Sequence, residues 1–260
     1  MSRILSVHSF RGGTGKSNTT ANVATVLAIR GKRVGIIDTD IQSPGIHVLF
    51  NVAEDEVVHT LDDYLWGTVA IEEAAIDVGS RLTMADGRTG LPQGALYLVP
   101  SSMKASDIAR ILREGYDVGL LNDGYRALGD KLHLDYLLID THPGLNEETL
   151  LSISVSDVLL LILRPDKQDL QGTAVTVDVA RKLGVENLMI VVNKVLESFD
   201  FDEVRQQVET TYKSTVAGVL PNSDDIVRLA SGDVFSLRFP DHRWSQEITR
   251  IVDHVQAAAP

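Results

Sequence analysis

Val158–Leu163 are six apolar side chains in succession. In an extended strand, neighbouring side chains point to opposite faces, so such a run must be buried on both. That requirement selects a sheet covered by helices on each side. Similar short runs at residues 4–8, 34–37, 96–99, 136–139, 188–192 and 216–220 also read as strands. Between them lie helical patterns at 18–29, 106–112, 124–131, 172–183 and 201–208, with a last one at 245–255. In the first of these Ala21, Ala24, Thr25 and Ala28 share one side. Alternating strands and helices make βαβ units. The expected fold is therefore α/β, a mostly parallel β-sheet flanked by helices on both faces. No linker interrupts the pattern, so residues 1–260 are read as a single domain. Residues 78–93, with Gly79, Gly87, Gly90 and Pro92, read as a long surface loop or hairpin. Ligands of such sheets bind beyond the C-terminal ends of the strands.

Composition narrows the chemistry. The chain has no cysteine, which excludes disulfides, Cys-ligated zinc and thiolate-held iron–sulfur clusters. Its net charge of −12 counts against a nucleic-acid coat, which relies on clustered Lys and Arg. A membrane span needs about 20 apolar residues, and the longest run here is six. The N-terminus, Met1 to Leu5, lacks the features of a secretion signal. The chain is expected to be soluble and cytoplasmic.

The strongest local signal is Phe10-Arg11-Gly12-Gly13-Thr14-Gly15-Lys16-Ser17, between the first strand and the first helix. This is the context that a phosphate-binding P-loop requires. Glycines let successive backbone amides turn inward around an anion, and the helix N-terminus adds partial positive charge. Lys16 would reach the β- and γ-phosphates, and the Ser17 hydroxyl would ligate Mg²⁺. Two further strands end in acids. Asp38-Thr39-Asp40 follows the second, and Asp140-Thr141-His142-Pro143-Gly144 follows the strand at 136–139. Carboxylates at strand ends beside a P-loop are placed to orient Mg²⁺ or a water. His142 is open to two readings, a catalytic base or an ordinary turn residue. The seven histidines contain no metal-binding pair of the H-E-x-x-H kind.

The loop resembles the deviant Walker A motif, K-G-G-x-G-K-[ST], of the MinD/ParA family of ATPases. Phe10 holds the place of the first glycine of the standard motif, and Arg11 that of the family's signature lysine. The resemblance extends from Arg3 to about Val255 and implies a single-domain P-loop NTPase that binds ATP or ADP with Mg²⁺. It implies a cofactor-binding set of Gly12, Gly13, Thr14, Gly15, Lys16, Ser17 and Asn18, joined at the base by Asn193, Lys194 and Pro221. It implies Ser17, Asp38 and Asp140 around the metal, and Lys16, Asp40 and Arg11 as the catalytic set, with Asp40 positioning the attacking water. Arg11 would act on a partner's phosphates across an ATP-dependent homodimer; the other reading holds it in cis on a nearby carboxylate. Leu196 stands where related GTPases carry a guanine-binding aspartate, which favours adenine. Arg164-Pro165-Asp166, Gln168 and Gly172 match the family's strand–Pro–helix step, a helix face that usually lines the dimer interface.

What such a switch controls is less constrained. The terminal helix has Ile248, Ile251, Val252 and Val255 on one face and Glu247, Arg250 and Asp253 on the other. One base against two acids is not a membrane-surface helix, so it is expected to pack into the core, with no membrane anchor. Arg228, Arg238, Arg243 and Arg250 lie among six acids, weak support for non-specific DNA binding. Iron–sulfur relatives of the fold need cysteines, and its tyrosine kinases need a C-terminal tyrosine cluster, whereas the last tyrosine here is Tyr212. The expected function is a slow, partner-stimulated ATPase that positions or partitions a cargo through an activating or cargo-adaptor protein. Two alternatives stay open: a nucleotide-sensing adaptor with little turnover, and a small-molecule ATP-dependent ligase or transferase.

Overall fold

The run Val158–Leu163 is buried along its whole length and divides its side chains between two cores. Val158, Leu160 and Ile162 face one; Leu159, Leu161 and Leu163 face the other. The strand at Tyr136–Asp140 does the same, with Leu138 on one side and Leu137 and Ile139 on the opposite. Burial on both faces is the reason that these strands read as continuous apolar runs.

The computed structural model describes residues 2–258. In chain order the elements are β1 (Arg3–His8), α1 (Lys16–Ile29), β2 (Arg33–Asp38), α2 (Leu61–Leu65), β3 (Ile76–Asp77), β4 (Ala95–Val99), α3 (Ala105–Glu114), α4 (Gly119–Lys131) and β5 (Tyr136–Asp140). They continue with α5 (Glu147–Ser154), β6 (Val158–Leu163), α6 (Lys167–Lys182), β7 (Leu188–Val195), α7 (Phe201–Tyr212), β8 (Thr215–Pro221), α8 (Asp224–Leu229), α9 (Phe235–Arg238) and α10 (Arg243–Ala257). The strands form one eight-stranded sheet, ordered β3-β4-β2-β5-β1-β6-β7-β8. All neighbours are parallel except β3 and β4. The chain leaves β1 towards β2 on one side and leaves β5 towards β6 on the other. This reversal opens a crevice at the C-terminal strand ends, where ligands of open α/β sheets bind.

Helices α1, α9 and α10 cover one face, and α2, α4, α5, α6 and α7 the other. Helix α1 is short of an amphipathic stripe because Ala21, Asn22, Val23, Ala24 and Thr25 are all buried. It packs against both the sheet and α10, which itself rests on β8, and small residues allow that close packing. Helix α10 sends Ile248, Ile251, Val252 and Val255 into the same core. One expectation for this helix fails. Glu247, read as part of its polar face, is buried, and its carboxylate accepts the amide of Val219 at 3.2 Å. Strand β8 ends the sheet, and its outward amides need a partner from outside the ladder.

The segment 78–93 is looped, as its glycines suggest, but anchored. Val78 and Leu82 are buried, and a bridge between Thr83 and Thr89 closes a small hairpin at its tip. Strand β3, α2 and α5 gave no clear apolar pattern. Helix α5 is signalled instead by its cap, with Asn146 accepting the amide of Thr149 at 2.9 Å. Helix α6 begins earlier than its apolar pattern, because Asp166 accepts the amides of Gln168 and Asp169, each at 3.0 Å.

Phe10, the residue that departs from the standard P-loop, lies against α6 at Gly172, where an added Cβ would overlap its ring. Gly172→Ala should therefore cost about 1–3 kcal/mol through overpacking. Urea unfolding would register this as a lower midpoint. A midpoint equal to that of the unaltered protein would mean that Phe10 is free to move aside.

Candidate active site

Strand β1 stops at His8, and the chain turns through Gly13 (φ 75°) and Gly15 (φ 90°) before α1 starts at Lys16. Both glycines occupy the left-handed region that side chains disfavour. No side chain caps α1. Its first amides are thus left for an anion, and the helix dipole favours one there.

Strand register brings the acids together. Asp38 at the end of β2 lies directly beside Asp140 at the end of β5, and Val7 of β1 flanks Asp140 on its other side. Lys16 reaches back over these ends. Its Nζ is 2.9 Å from Asp140 Oδ1 and 3.9 Å from Asp40 Oδ2, with only 7% of its side chain exposed. Thr20 Oγ1 donates to the same Asp140 oxygen at 2.9 Å. The other, Oδ2, is buried without a hydrogen-bond partner among the described residues. Asp38 is fully buried and accepts the amides of Asp40 at 3.0 Å and Gly45 at 3.3 Å. Burial first, and then the neighbouring Asp140, push its carboxyl up to about 8.

This donor set fits Mg²⁺, a hard cation that takes oxygen ligands and keeps several waters. The orphaned Asp140 oxygen and the crowding of Asp38 against Asp140 are both features that a cation would relieve. Among the described residues no group of three His, Cys, Asp or Glu is arranged to hold a metal unaided, so the remaining ligands would come from Ser17, water and a bound phosphate.

Two adjoining cavities carry the other candidates. One of about 390 Å³ is lined by Gly12 to Asn18, Asp40 and His142. A second of about 200 Å³ is lined by Asn193, Lys194 and Pro221, and it shares Gly15 and Asn18 with the first. Between Val192 and Val195 the register of β7 against β8 slips, which turns Asn193 and Lys194 towards the P-loop. Asn193 Nδ2 donates to Thr14 O and Lys194 Nζ to Gly13 O, both at 2.8 Å. These two residues brace the loop as well as border the second cavity.

Arg11 stands apart. Its side chain is 42% exposed, hydrogen-bonded to Gln168 Oε1 and 3.8 Å from Asp169 Oδ1, at the start of α6. It does not line the phosphate cavity. The residues at the site that lay outside the expected set include three with side-chain hydrogen bonds there. His142 Nδ1 meets Asp40 Oδ1 at 2.7 Å. His8 is buried beneath, its Nδ1 2.8 Å from Thr141 Oγ1. Thr20 shares Asp140 with Lys16. The two histidines sit at strand ends beside motif residues, but neither spacing nor residue type revealed their partners.

Comparison with known proteins follows the same lines. The family profile of the CobQ/CobB/MinD/ParA nucleotide binding domain matches residues 5–234. An uncharacterised ATP-binding protein of Methanocaldococcus jannaschii is 26% identical over 252 residues, 96% of this chain and 86% of that protein. The cell division ATPase MinD of Pyrococcus furiosus superposes with a TM-score of 0.80 over 100% of both chains, at 23% identity. The septum site-determining protein MinD of Pyrococcus horikoshii, solved with Mg-ADP, gives 0.79 over 99% of this chain and 97% of that one, at 21% identity.

His8 yields a pH test. Burial, and then the charge of Lys16, depress its imidazole to about 3. An unfolded histidine titrates near 6.5. Between these values the unfolded chain binds the extra proton, so this contribution to stability is lost as pH falls. Asp38, raised by burial, acts in the opposite sense, so the comparison must be with a variant. Going from pH 7 to pH 5 without nucleotide, the unaltered protein should lose about 2 kcal/mol relative to His8→Gln. Urea titrations at the two pH values measure the difference, and parallel losses would mean that His8 titrates normally in the folded chain.

Proposed function

Because the chain belongs to the CobQ/CobB/MinD/ParA family of nucleotide-binding domains, we propose that it is a cytoplasmic ATP-hydrolysing switch. ATP with Mg²⁺ closes two copies into a homodimer, and hydrolysis to ADP reopens it. An activating or cargo-adaptor protein reads the difference, and the output is the positioning or partitioning of a cargo. The observation that carries this reading is the convergence of Lys16, Asp40 and Asp140 at the mouth of an uncapped helix. That is the equipment for holding a polyphosphate and directing a water at its end.

In this reading the amides of residues 12–18 cradle the phosphates, and Lys16 transfers from Asp140 to the β- and γ-phosphates. Ser17, Asp38 and Asp140 would hold Mg²⁺. The cation supplies charge neutralisation at the phosphate oxygens. Asp40 orients the attacking water. The cavity beside Asn193, Lys194 and Pro221 takes the base, and Leu196 in place of an aspartate favours adenine. Arg11 leaves Gln168 to reach the partner's phosphates.

The names of the structural neighbours, a cell division ATPase and a septum site-determining protein, support a positioning role. Surface charge does not favour DNA. Arg228, Arg238 and Arg250 are each paired with a nearby acid, and Arg243 lies over the Phe201 ring. Among the described residues no helix is long and apolar enough to cross a membrane. A second reading, a nucleotide-sensing adaptor with little turnover, is favoured by one observation: Arg11 is docked in cis.

Lys16→Ala should abolish nucleotide binding. Asp40→Ala should retain binding and lose at least about tenfold in turnover. Solution molar mass of Asp40→Ala with Mg²⁺ should double in ATP relative to ADP, and Arg11→Ala should remove that doubling. A monomer in both nucleotides would eliminate the homodimer and leave the adaptor reading. Unchanged turnover in Asp40→Ala would remove the role assigned to that residue.

A further inference from the structure

The Asp40 carboxylate is held from two sides. Lys16 Nζ stands 3.9 Å from Oδ2, and His142 Nδ1 is 2.7 Å from Oδ1. Only one of these contacts is close, and the other is temporary under the function proposed above, since Lys16 is to move to the phosphates. Once it moves, the hydrogen bond from His142 is what remains to fix the carboxylate. At 2.7 Å from a carboxylate oxygen, Nδ1 must carry a hydrogen whichever charge the ring has. The bond is thus defined without reference to titration.

His142 is itself anchored. Its carbonyl accepts Thr149 Oγ1 of α5 at 3.2 Å, and the amide of Gly144, two residues on, donates to Ser9 O at 3.2 Å. Its ring is 22% exposed and lines the phosphate cavity. Asp40, by contrast, lies in the irregular segment after β2. Its main chain is held there by the bonds from its amide to Asp38 Oδ1, at 3.0 Å, and from the amide of Ser43 to its carbonyl, at 3.1 Å. These leave the side-chain torsions free. A carboxylate that must orient a water needs its torsions fixed, and misplacement of a catalytic group by about 1 Å can cost two orders of magnitude.

We propose that His142 is a positioning residue for hydrolysis: its Nδ1–H holds the Asp40 carboxylate in the orientation from which Asp40 directs the attacking water. The inference rests on the ATPase reading above. It gives His142, which the sequence leaves open between a catalytic base and a turn residue, a role that needs a side-chain donor.

The test compares steady-state ATP turnover of the full chain with Mg²⁺ in the unaltered protein, His142→Ala and His142→Asn. Affinity is followed in parallel with a fluorescent ADP analogue. In asparagine, Nδ2 is attached to Cγ as Nδ1 is in histidine, so it restores the donor in nearly the same place. His142→Ala should lower kcat roughly tenfold or more, with KM and analogue affinity unchanged, and His142→Asn should recover most of the loss. In an Asp40→Asn background, His142→Ala should cost little more, because the two act as a unit. Equal kcat in His142→Ala and the unaltered protein would overturn the assignment. So would a His142→Asn variant as slow as His142→Ala while both melt at the same temperature as the unaltered protein. Absence of turnover in the unaltered protein would instead sink the ATPase reading, and this inference with it.

Discussion

One buried ammonium serves the acids of the site. The register of β5 against β2 and β1 leaves Asp38 and Asp140 adjacent at the strand ends, and the next turn adds Asp40. Among the described residues, only Lys16 comes within ion-pairing distance of both Asp40 and Asp140. The site is therefore short of positive charge. Burial and the neighbouring Asp140 push the Asp38 carboxyl upward, which favours its neutral form and eases that deficit. The position of Lys16 follows from the same arrangement. It is the first residue of α1, and the glycine loop turns that helix so that the side chain folds back over β5. Loss of the lysine would leave buried carboxylates facing one another, an arrangement that costs several kcal/mol.

Much of this was legible in the chain. Continuous apolar runs announced the sheet because these strands are covered on both faces. The glycine–lysine–serine sequence announced the loop because its backbone geometry tolerates few residues. Acids at strand ends could be placed because a parallel sheet gathers such ends along one edge. Less visible were features that depend on partners distant in sequence. Glu247 looked like part of a polar stripe, yet it serves an amide at the edge strand β8. His142 looked like a turn residue because Asp40 lies 102 residues away. Asn193 and Lys194 looked like base contacts alone, because the register slip that also turns them onto the P-loop has no local signature.

The loop departs from the standard motif at Phe10 and from the family's motif at Arg11, and both departures are answered by one helix. Phe10 packs over Gly172, and Arg11 bonds Gln168 one turn earlier on α6. Any other residue at position 172 would intrude on that ring, and Gln168 is accessible because Asp166 starts the helix early. The P-loop is thus buttressed from α6 on one side and from Asn193 and Lys194 on the other.

The strength of the Arg11 contact bears on whether this docking opposes the proposed action across a dimer. Arg11 is well exposed, and its bond to Gln168 exchanges for water at small cost. Asp169, 3.8 Å away, is already held by Arg164 at 2.8 Å and 3.0 Å, so it depends little on Arg11. Exposed pairs of this kind contribute about 0–1 kcal/mol. A charge-assisted bond to a phosphate in a closed, water-poor interface is worth more, about 1.5–3 kcal/mol. The balance therefore tips towards the phosphate once one is within reach. On the dimer reading proposed above, the docked arginine is a resting position, and the half-buried ring of Phe10, packed on Gly172, is what holds the loop to α6.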